Sequence, residues 1–266
     1  MKTEELRGIM AKIHGLLEDY HKLDARYKLY APTPTERGEL AVITDLNAQL
    51  KKLKQPIDVK VGTKTFKNIY GANKIAGTPK ADIALVTFNK TSGKFENVCF
   101  ISHKMGTSAK DFQQYSGITT KADGSKSGSI SNDPVVLKFL DDLTVVYKDI
   151  ILKKQRYHRI IKSDGLIGKS VFGPVYGSKT YGEDNIHVIG QGNASFVKNG
   201  ASYKLTFSAG AEYNGNVSHF KTGGYTAIIA GRYTSGRNFE AKRKTWPGVR
   251  VLIMPLVVIG GNSKEI

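Results

Sequence analysis

The first part of the chain places apolar residues three and four positions apart, which is the spacing of amphipathic helices. This pattern predicts an N-terminal helix within residues 1–32 and a second helix whose apolar stripe runs over residues 40–53. Thr35 is the expected N-cap of the second helix, with Glu36 and Glu39 in its first turn. We therefore expect two helices before any strand.

After the second helix the hydrophobic pattern changes to alternation. Residues 57–61 and 65–69 alternate apolar and polar side chains on either side of Gly62, which predicts a β-hairpin. Residues 81–88 and 97–101 are two further apolar runs joined by a polar turn that contains glycine. We expect them to form a second pair of neighbouring strands.

The rest of the chain mixes helix and strand signals. Residues 108–115 resemble the start of a helix, and residues 134–147 have a clear amphipathic period. The chain then becomes rich in glycine and serine, with short apolar runs typical of strands. The fold class is therefore α+β, with an N-terminal helix (1–32), a core (33–165) and a β-rich C-terminal region (166–266) packed on or completing that core.

The charge of the chain is strongly positive. Lys and Arg number 40 against 23 Asp and Glu, which gives a net charge of +17. Such a charge attracts polyanions, and nucleic acid is favoured over an anionic membrane or an acidic protein. A basic surface that serves solubility alone is the other interpretation. Two basic clusters interleaved with aromatic residues are the candidate nucleic-acid contacts: Lys153, Lys154, Arg156 and Arg159, and Arg232, Arg237, Lys242, Arg243 and Lys244.

The cellular setting is indicated by a few local features. The single cysteine, Cys99, lies in an apolar run and favours a reducing compartment. The first residues are acidic, unlike a signal peptide, and the apolar stretch over residues 249–260 is too short to cross a bilayer. We expect a cytoplasmic protein of a bacterial or phage-infected cell, with no membrane partner.

The candidate chemistry lies at the ends of the second strand pair. Asp82 opens one predicted strand, and the next predicted strand ends with Ser102, His103 and Lys104. Since residues two apart in a strand share a face, Ser102 and Lys104 project together, and the neighbouring strand can present Asp82 to them. A hard carboxylate ligand beside a cation suits metal-assisted phosphodiester hydrolysis.

This order of elements and residues resembles the PD-(D/E)XK nuclease superfamily. The resemblance implies a restriction-endonuclease-like mixed sheet flanked by helices, and a phage-encoded origin. It also implies that Asp82 binds Mg²⁺ (or Mn²⁺) and that Lys104 is the catalytic lysine. Ser102 stands where the family has its second acid, so Glu39 is the expected additional metal ligand, preferred over Glu36 because it adjoins the apolar stripe. Gln114 matches a glutamine that contacts the site or the DNA in some branches.

The expected activity is that of a metal-dependent endodeoxyribonuclease acting on DNA. Two alternatives stay open at this point. Ser102 favours a catalytically inactive nuclease-fold protein that binds DNA or belongs to a virion. A ribonuclease or RNA-binding protein is a further alternative, because charge does not separate RNA from DNA. A homodimer is left open.

Overall fold

A computed structural model describes residues 8–16, 18, 33–77, 79–118, 128–241 and 244–266. The chain forms two compact units, each built from two separate segments. The first unit comprises the chain up to Thr107 together with Tyr181–Tyr213, and the second comprises Ser108–Thr180 together with Asn214–Ile266. A segment from the C-terminal half, Tyr181–Tyr213, therefore belongs to the first unit, and the predicted division into 1–32, 33–165 and 166–266 stays a prediction.

The strands are numbered in chain order through both units. Those of the first unit are β1 Ile57–Val61, β2 Lys64–Lys74, β3 Ile83–Asn89, β4 Lys94–Lys104, β7 Val188–Gln191, β8 Ala194–Asn199, β9 Ser202–Phe207 and β10 Gly210–Tyr213. Those of the second unit are β5 Ser116–Gly117, β6 Arg156–Ile160, β11 Ala227–Ala241, β12 Lys244–Pro255 and β13 Ser263–Glu265.

The first unit is an eight-stranded sheet in the order β10-β7-β4-β3-β2-β1-β9-β8. The predicted hairpins are confirmed, since β1 pairs with β2 and β3 pairs with β4, both antiparallel. The parallel pairs β4–β7 and β1–β9 make the sheet mixed. The expectation of an α+β protein with a mixed sheet is therefore confirmed.

Helix α1 (Pro34–Leu53) packs on this sheet and is tied to it by side-chain amides. The Asn47 amide donates to the carbonyl of Ala72 and accepts from its N–H, at 3.0 and 2.8 Å. Residues 8–16 are also helical, and Met10 and Ile13 pack against Tyr70 on β2. The core between α1 and the sheet includes Ile43, Leu46, Leu50, Ile69, Ile83 and Ile101.

The start of α1 corrects one sequence expectation. The N-cap is Thr33, not Thr35, and its hydroxyl accepts a hydrogen bond from the N–H of Glu36 while the Glu36 carboxylate accepts one from the N–H of Thr33. Pro34 fits at the first helical position, where its missing N–H would have no partner in any case. The reciprocal cap therefore places the helix start two residues earlier.

The second unit has a five-stranded sheet in the order β13-β6-β11-β12-β5, with helices α2 (Pro134–Lys153) and α3 (Asp164–Phe172). Short helical turns occur at Gly128–Ser131 and Leu256–Ile259, and 3₁₀ turns at Ala109–Phe112, Ser218–Lys221 and Gly223–Tyr225. The helix expected over residues 108–115 is therefore a single 3₁₀ turn, because Gln113 takes a positive φ of 57° that ends it.

No helix in the described part of the chain has the length and apolar run that a membrane crossing requires.

Candidate active site

Asp82 is held between the ends of β2 and β4, directly before β3 begins. Its N–H donates to the carbonyl of Ile101 at 2.9 Å, and its own carbonyl accepts from the N–H of Ile75 at 3.0 Å. One carboxylate oxygen accepts hydrogen bonds from the Ser102 hydroxyl at 3.0 Å and from the His103 N–H at 2.7 Å. Both main-chain and side-chain contacts thus fix the carboxylate against the end of β4.

The end of β4 presents its side chains to two faces in alternation. Ser102 is buried, and the half-buried Lys104 follows it on the same face. The His103 ring turns to the other face, where Nε2 lies 2.9 Å from the carbonyl oxygen of Gly192. Burial lowers the pKa of His103, so its ring is a neutral structural group. Ser102 and Lys104 therefore belong to the Asp82 face, as the strand period predicts.

Glu39 adds a second carboxylate from helix α1. It lies on the buried side of the helix, in line with Val42, Ile43 and Leu46, and only 7% of it is exposed. Burial is the main cause that raises the pKa of Glu39 to about 7, and the negative charge of Asp82 raises it further. An ionised carboxylate in such a place is costly unless a cation offsets it.

The first turn of α1 approaches the end of β4 at Gly38. A Cβ atom at Gly38 would lie 2.5 Å from the sulfur of Met105, the residue that follows Lys104. A larger residue there would require the exposed Met105 side chain to move aside. In this region Glu39 lies near enough to Lys104 for the positive charge of Lys104 to lower the pKa of Glu39.

Two further lysines surround the acids, and the sequence analysis missed both. The buried Lys74 ammonium, at the end of β2, lies 3.9 Å from Glu39 and 3.6 Å from Glu36. Burial is the main cause that lowers the pKa of Lys80 to about 7. The positive charge of Lys104 also lowers this pKa, whereas the negative charge of Asp82 raises it. A lysine that ends an apolar strand, as Lys74 and Lys104 both do, was the available signal.

The donor set of this site fits a divalent cation. Asp82 and Glu39 offer carboxylate oxygens, which suit Mg²⁺ or Mn²⁺. Within the described residues, no group of three or more His, Cys, Asp and Glu side chains converges. Mg²⁺ is commonly held by one or two carboxylates, with water and substrate phosphate as the other ligands. The negative charge of Asp82 raises the pKa of Glu39, so a cation near both carboxylates would favour their ionised forms.

Glu36 differs from Glu39 in having a local role. Its carboxylate accepts hydrogen bonds from the N–H and hydroxyl of Thr33, at 2.9 and 3.1 Å. One oxygen of Glu36 thus caps α1 while the other lies near Lys74, whereas Glu39 also receives the charges of Asp82 and Lys104.

The other predicted site residues lie in the second unit. Gln114 follows the 3₁₀ turn, and its side-chain oxygen accepts a hydrogen bond from Arg250 at 2.6 Å. Lys242 and Arg243 lie outside the described residues, and only the backbone of Lys244 is described. The role of these residues stays a prediction.

Several basic residues of the first predicted cluster have partners within the second unit. Lys153 pairs with Asp149 at 2.9 Å and Arg159 with Asp142 at 2.5 Å. The Lys154 ammonium lies 3.2 Å from the centre of the Tyr233 ring. These contacts stabilise the fold, and contact with nucleic acid stays a prediction for them.

The chain is a mixed α+β protein with a large mixed sheet, which is compatible with a nuclease fold. The chain is similar to the type II restriction enzyme CviJI of Paramecium bursaria Chlorella virus IL3A, with 27% identity over 193 residues. The match covers 71% of this chain and 51% of the relative, so the chain spans about half the length of that enzyme. No family model matches the chain, and no solved structure gives a significant match. The likeness supports a restriction-endonuclease-like nuclease.

Proposed function

We propose that the chain is a metal-dependent DNA endonuclease with a PD-(D/E)XK type of centre. The observation that carries this proposal is the Asp82 carboxylate held against the end of β4, on the face to which Lys104 projects, together with the charges of Asp82 and Lys104 that both act on the buried Glu39. The likeness to a restriction enzyme supports DNA as the substrate. The net charge of +17 supports it as well, because phosphate attraction dominates the affinity of proteins for DNA.

Asp82 and Glu39 are the residues that would hold Mg²⁺ (or Mn²⁺). When bound, such an ion lowers the pKa of a water molecule and stabilises the charge that develops on the phosphate. The hydrogen bonds from Ser102 and from the His103 N–H keep the Asp82 carboxylate in one orientation. A carboxylate that is held in one orientation needs little rearrangement to bind a cation. These two hydrogen bonds are therefore expected to assist metal binding.

Lys104 is the residue proposed to act on the reacting groups. Its ammonium can orient the attacking water by a hydrogen bond and neutralise charge on the phosphate. Lys74 has a different role, because it is buried against Glu36 and Glu39. It offsets part of the negative charge of the acids while the centre is empty of substrate. Lys74 is therefore a positioning residue.

Plasmid cutting tests this proposal. The purified chain is incubated with supercoiled plasmid and Mg²⁺, Mn²⁺ or a chelator. We expect nicked or linear DNA only with metal, and a loss on the order of 10³-fold in Asp82→Asn and Lys104→Met, as when a group that stabilises transition-state charge is removed. Asp58 and Lys67, an exposed pair 2.6 Å apart on β1 and β2, provide matched controls.

Asp58→Asn and Lys67→Met remove the same groups from the same unit and should cut DNA like the wild type. Equal cutting by all four variants would contradict the assignment of Asp82 and Lys104 to the catalytic centre. Cutting that persists in chelator would contradict the requirement for a metal.

A DNA-binding protein that does not cut is the second candidate. The observation that favours it is Ser102, a neutral hydroxyl that donates to Asp82 where the resembling family has an acid. Salt-dependent binding of plasmid without cutting, with either metal, would support this candidate over the first.

A further inference from the structure

Three arginines form a row across one face of the second unit's sheet. This arginine row consists of Arg156 on β6, Arg232 on β11 and Arg250 on β12. Arg232 and Arg250 are direct partners in the antiparallel register of β11 and β12. Since Gly231 pairs with Tyr157, the next position along β6 sets Arg156 beside Arg232. Three neighbouring strands thus present guanidinium groups side by side.

Such a row is unfavourable for folding. Like charges directly opposite one another in a sheet destabilise it. Among the described residues, no acid forms an ion pair with the arginine row. The contacts it does make are with neutral groups: Arg250 donates to the Gln114 side chain at 2.6 Å, and Arg156 donates to the carbonyl of Ile259. These contacts orient two of the guanidinium groups without neutralising them.

Neighbouring basic residues show that acids are available in this unit. Arg159, three residues from Arg156, pairs with Asp142, and Lys153 pairs with Asp149. Within the described residues, the arginine row thus differs from Arg159 and Lys153 in forming no ion pair with an acid. Arginines that lie together without a paired acid are expected where an anionic ligand supplies the negative charge.

The row is accessible and remains charged at neutral pH. Arg156 is exposed, and Arg232 and Arg250 are half-buried beside the apolar cluster that contains Ala230 and Leu252. Burial lowers the pKa of Arg232, and the charges of Arg250 and Arg156 lower it further. A guanidinium group nonetheless keeps its proton in proteins. Its planar fork of donors matches the oxygens of a phosphate group.

We propose that the arginine row binds consecutive phosphates of the DNA backbone, an inference that rests on the proposed function. Neighbouring strands lie roughly 4.8 Å apart, so the row extends over about 10 Å. That length exceeds one phosphate group and fits a phosphate polymer. The contact positions the DNA and reads no base, because phosphates carry no sequence information.

The experiment measures binding of a fluorescent 20-base-pair duplex by anisotropy in chelator, over a range of salt concentrations. Arg232→Gln combined with Arg250→Gln should weaken binding at least 10-fold. The slope of log Kd against log salt should fall by about 2, since each phosphate contact on duplex DNA contributes roughly 0.9. Lys90→Gln combined with Lys198→Gln removes the same charge from exposed positions and should change Kd less than 2-fold.

Equal weakening in both double variants would overturn the proposal, because general charge would then explain the binding. A second arm measures the rise in Tm that inorganic phosphate causes, and it reports on folding of the variants as well. A phosphate effect lost in the arginine variant while DNA binding is unchanged would assign the row to free phosphate and overturn the DNA contact.

Failure of the proposed function is distinguishable from failure of the row. If the wild-type chain binds DNA through the arginine row but cuts no plasmid with any metal, only the proposed endonuclease activity is contradicted. If the wild type cuts plasmid and the arginine variant binds DNA as tightly as the wild type, only the proposed DNA contact of the arginine row is contradicted.

Discussion

The two units arrange their charged side chains in different ways. In the first unit, Asp82 and Glu39 lie among lysines, so groups of both signs meet at one buried place. In the second unit, Arg232 and Arg250 face each other with no described acid beside them. Carboxylates can hold a cation while nearby lysines orient a water molecule, whereas a row of arginines offers no oxygen ligand for a metal. The first arrangement suits chemistry and the second suits binding.

The two arrangements also differ in their energetic cost. Glu39 is almost fully buried, and its pKa is raised to about 7, so its ionised form destabilises the folded state. Arg232 and Arg250 are half-buried and remain partly solvated, which reduces their repulsion. We therefore expect substitutions in the first unit to change stability and activity more strongly than substitutions in the arginine row.

Glu39→Gln should show the largest combined effect on activity and stability, and it should change the two in opposite directions. Loss of the proposed metal ligand should reduce cutting at least about 100-fold, the scale of removing a group that stabilises transition-state charge. Removal of a buried charge should raise the free energy of unfolding at pH 8 by about 1–3 kcal/mol, on the scale of 1.36 kcal/mol per pKa unit. Plasmid assays and urea unfolding in chelator measure the two effects.

Glu36→Gln is the matched control, because Glu36 caps α1 and does not replace Glu39. It should cut like the wild type and lose about 1 kcal/mol or less of stability. A loss of stability in Glu39→Gln would show instead that Glu39 is a structural residue.

Ser102→Ala should have a smaller effect on activity. It removes the hydroxyl that donates to Asp82 and leaves the His103 N–H in place. A hydrogen bond to a charged group contributes roughly 1.5–3 kcal/mol, so cutting should fall about 10- to 100-fold. Ser195→Ala removes a hydroxyl that contacts Thr206 at 3.0 Å, and it should leave cutting unchanged. Identical rates for the two variants would contradict a supporting role for Ser102.

His187 should make the stability of the first unit depend on pH. Burial, and then the charge of Lys64, lower its pKa to about 3, and its Nδ1 accepts a hydrogen bond from the N–H of Phe100. The unfolded chain, with a histidine pKa near 6.5, therefore binds more protons than the folded chain between these values. The stability from His187 is fully present above pH 6.5 and is lost as pH falls, by up to about 1.4 kcal/mol per pH unit.

His187→Asn retains an acceptor but cannot titrate. Urea unfolding between pH 7 and pH 5 should therefore give a flatter profile for this variant than for the wild type. Parallel profiles would contradict the role of His187.

Arg232→Gln should have the smallest effect. Relief of the repulsion with Arg250 should raise the free energy of unfolding by roughly 0.2–1 kcal/mol at low salt. The gain should disappear at high salt, because salt screens partly exposed charges. A loss of stability at low salt would show that Arg232 has a stabilising partner and would weaken the comparison between the units.

The sequence predicted the parts of the fold that depend on local pattern. Both hairpins and the main helices follow from hydrophobic spacing. Asp82 and Lys104 lie at strand ends as expected, and their roles in a site stay predictions. The expected N-cap at Thr35 was wrong because a proline tolerated at the first helical position resembled a helix breaker. Local patterns thus located elements better than their ends.

The hydrophobic pattern of the sequence did not predict contacts between segments that are distant in the chain. Lys74 reaches Glu36 and Glu39 only because β2 lies under α1, and no periodicity encodes that placement. The return of residues 181–213 to the first sheet depends on the parallel pairing of β7 with β4 and of β9 with β1. The arginine row likewise required the register of three strands that are far apart in the chain.

Binding of Mn²⁺, followed by electron paramagnetic resonance in the presence of duplex DNA, tests most directly whether Asp82 and Glu39 share a cation. The account predicts a site in the wild type whose affinity falls at least 10-fold in Asp82→Asn and in Glu39→Gln, and is unchanged in Asp58→Asn. Equal Mn²⁺ affinity in the wild type and in both site variants would contradict it.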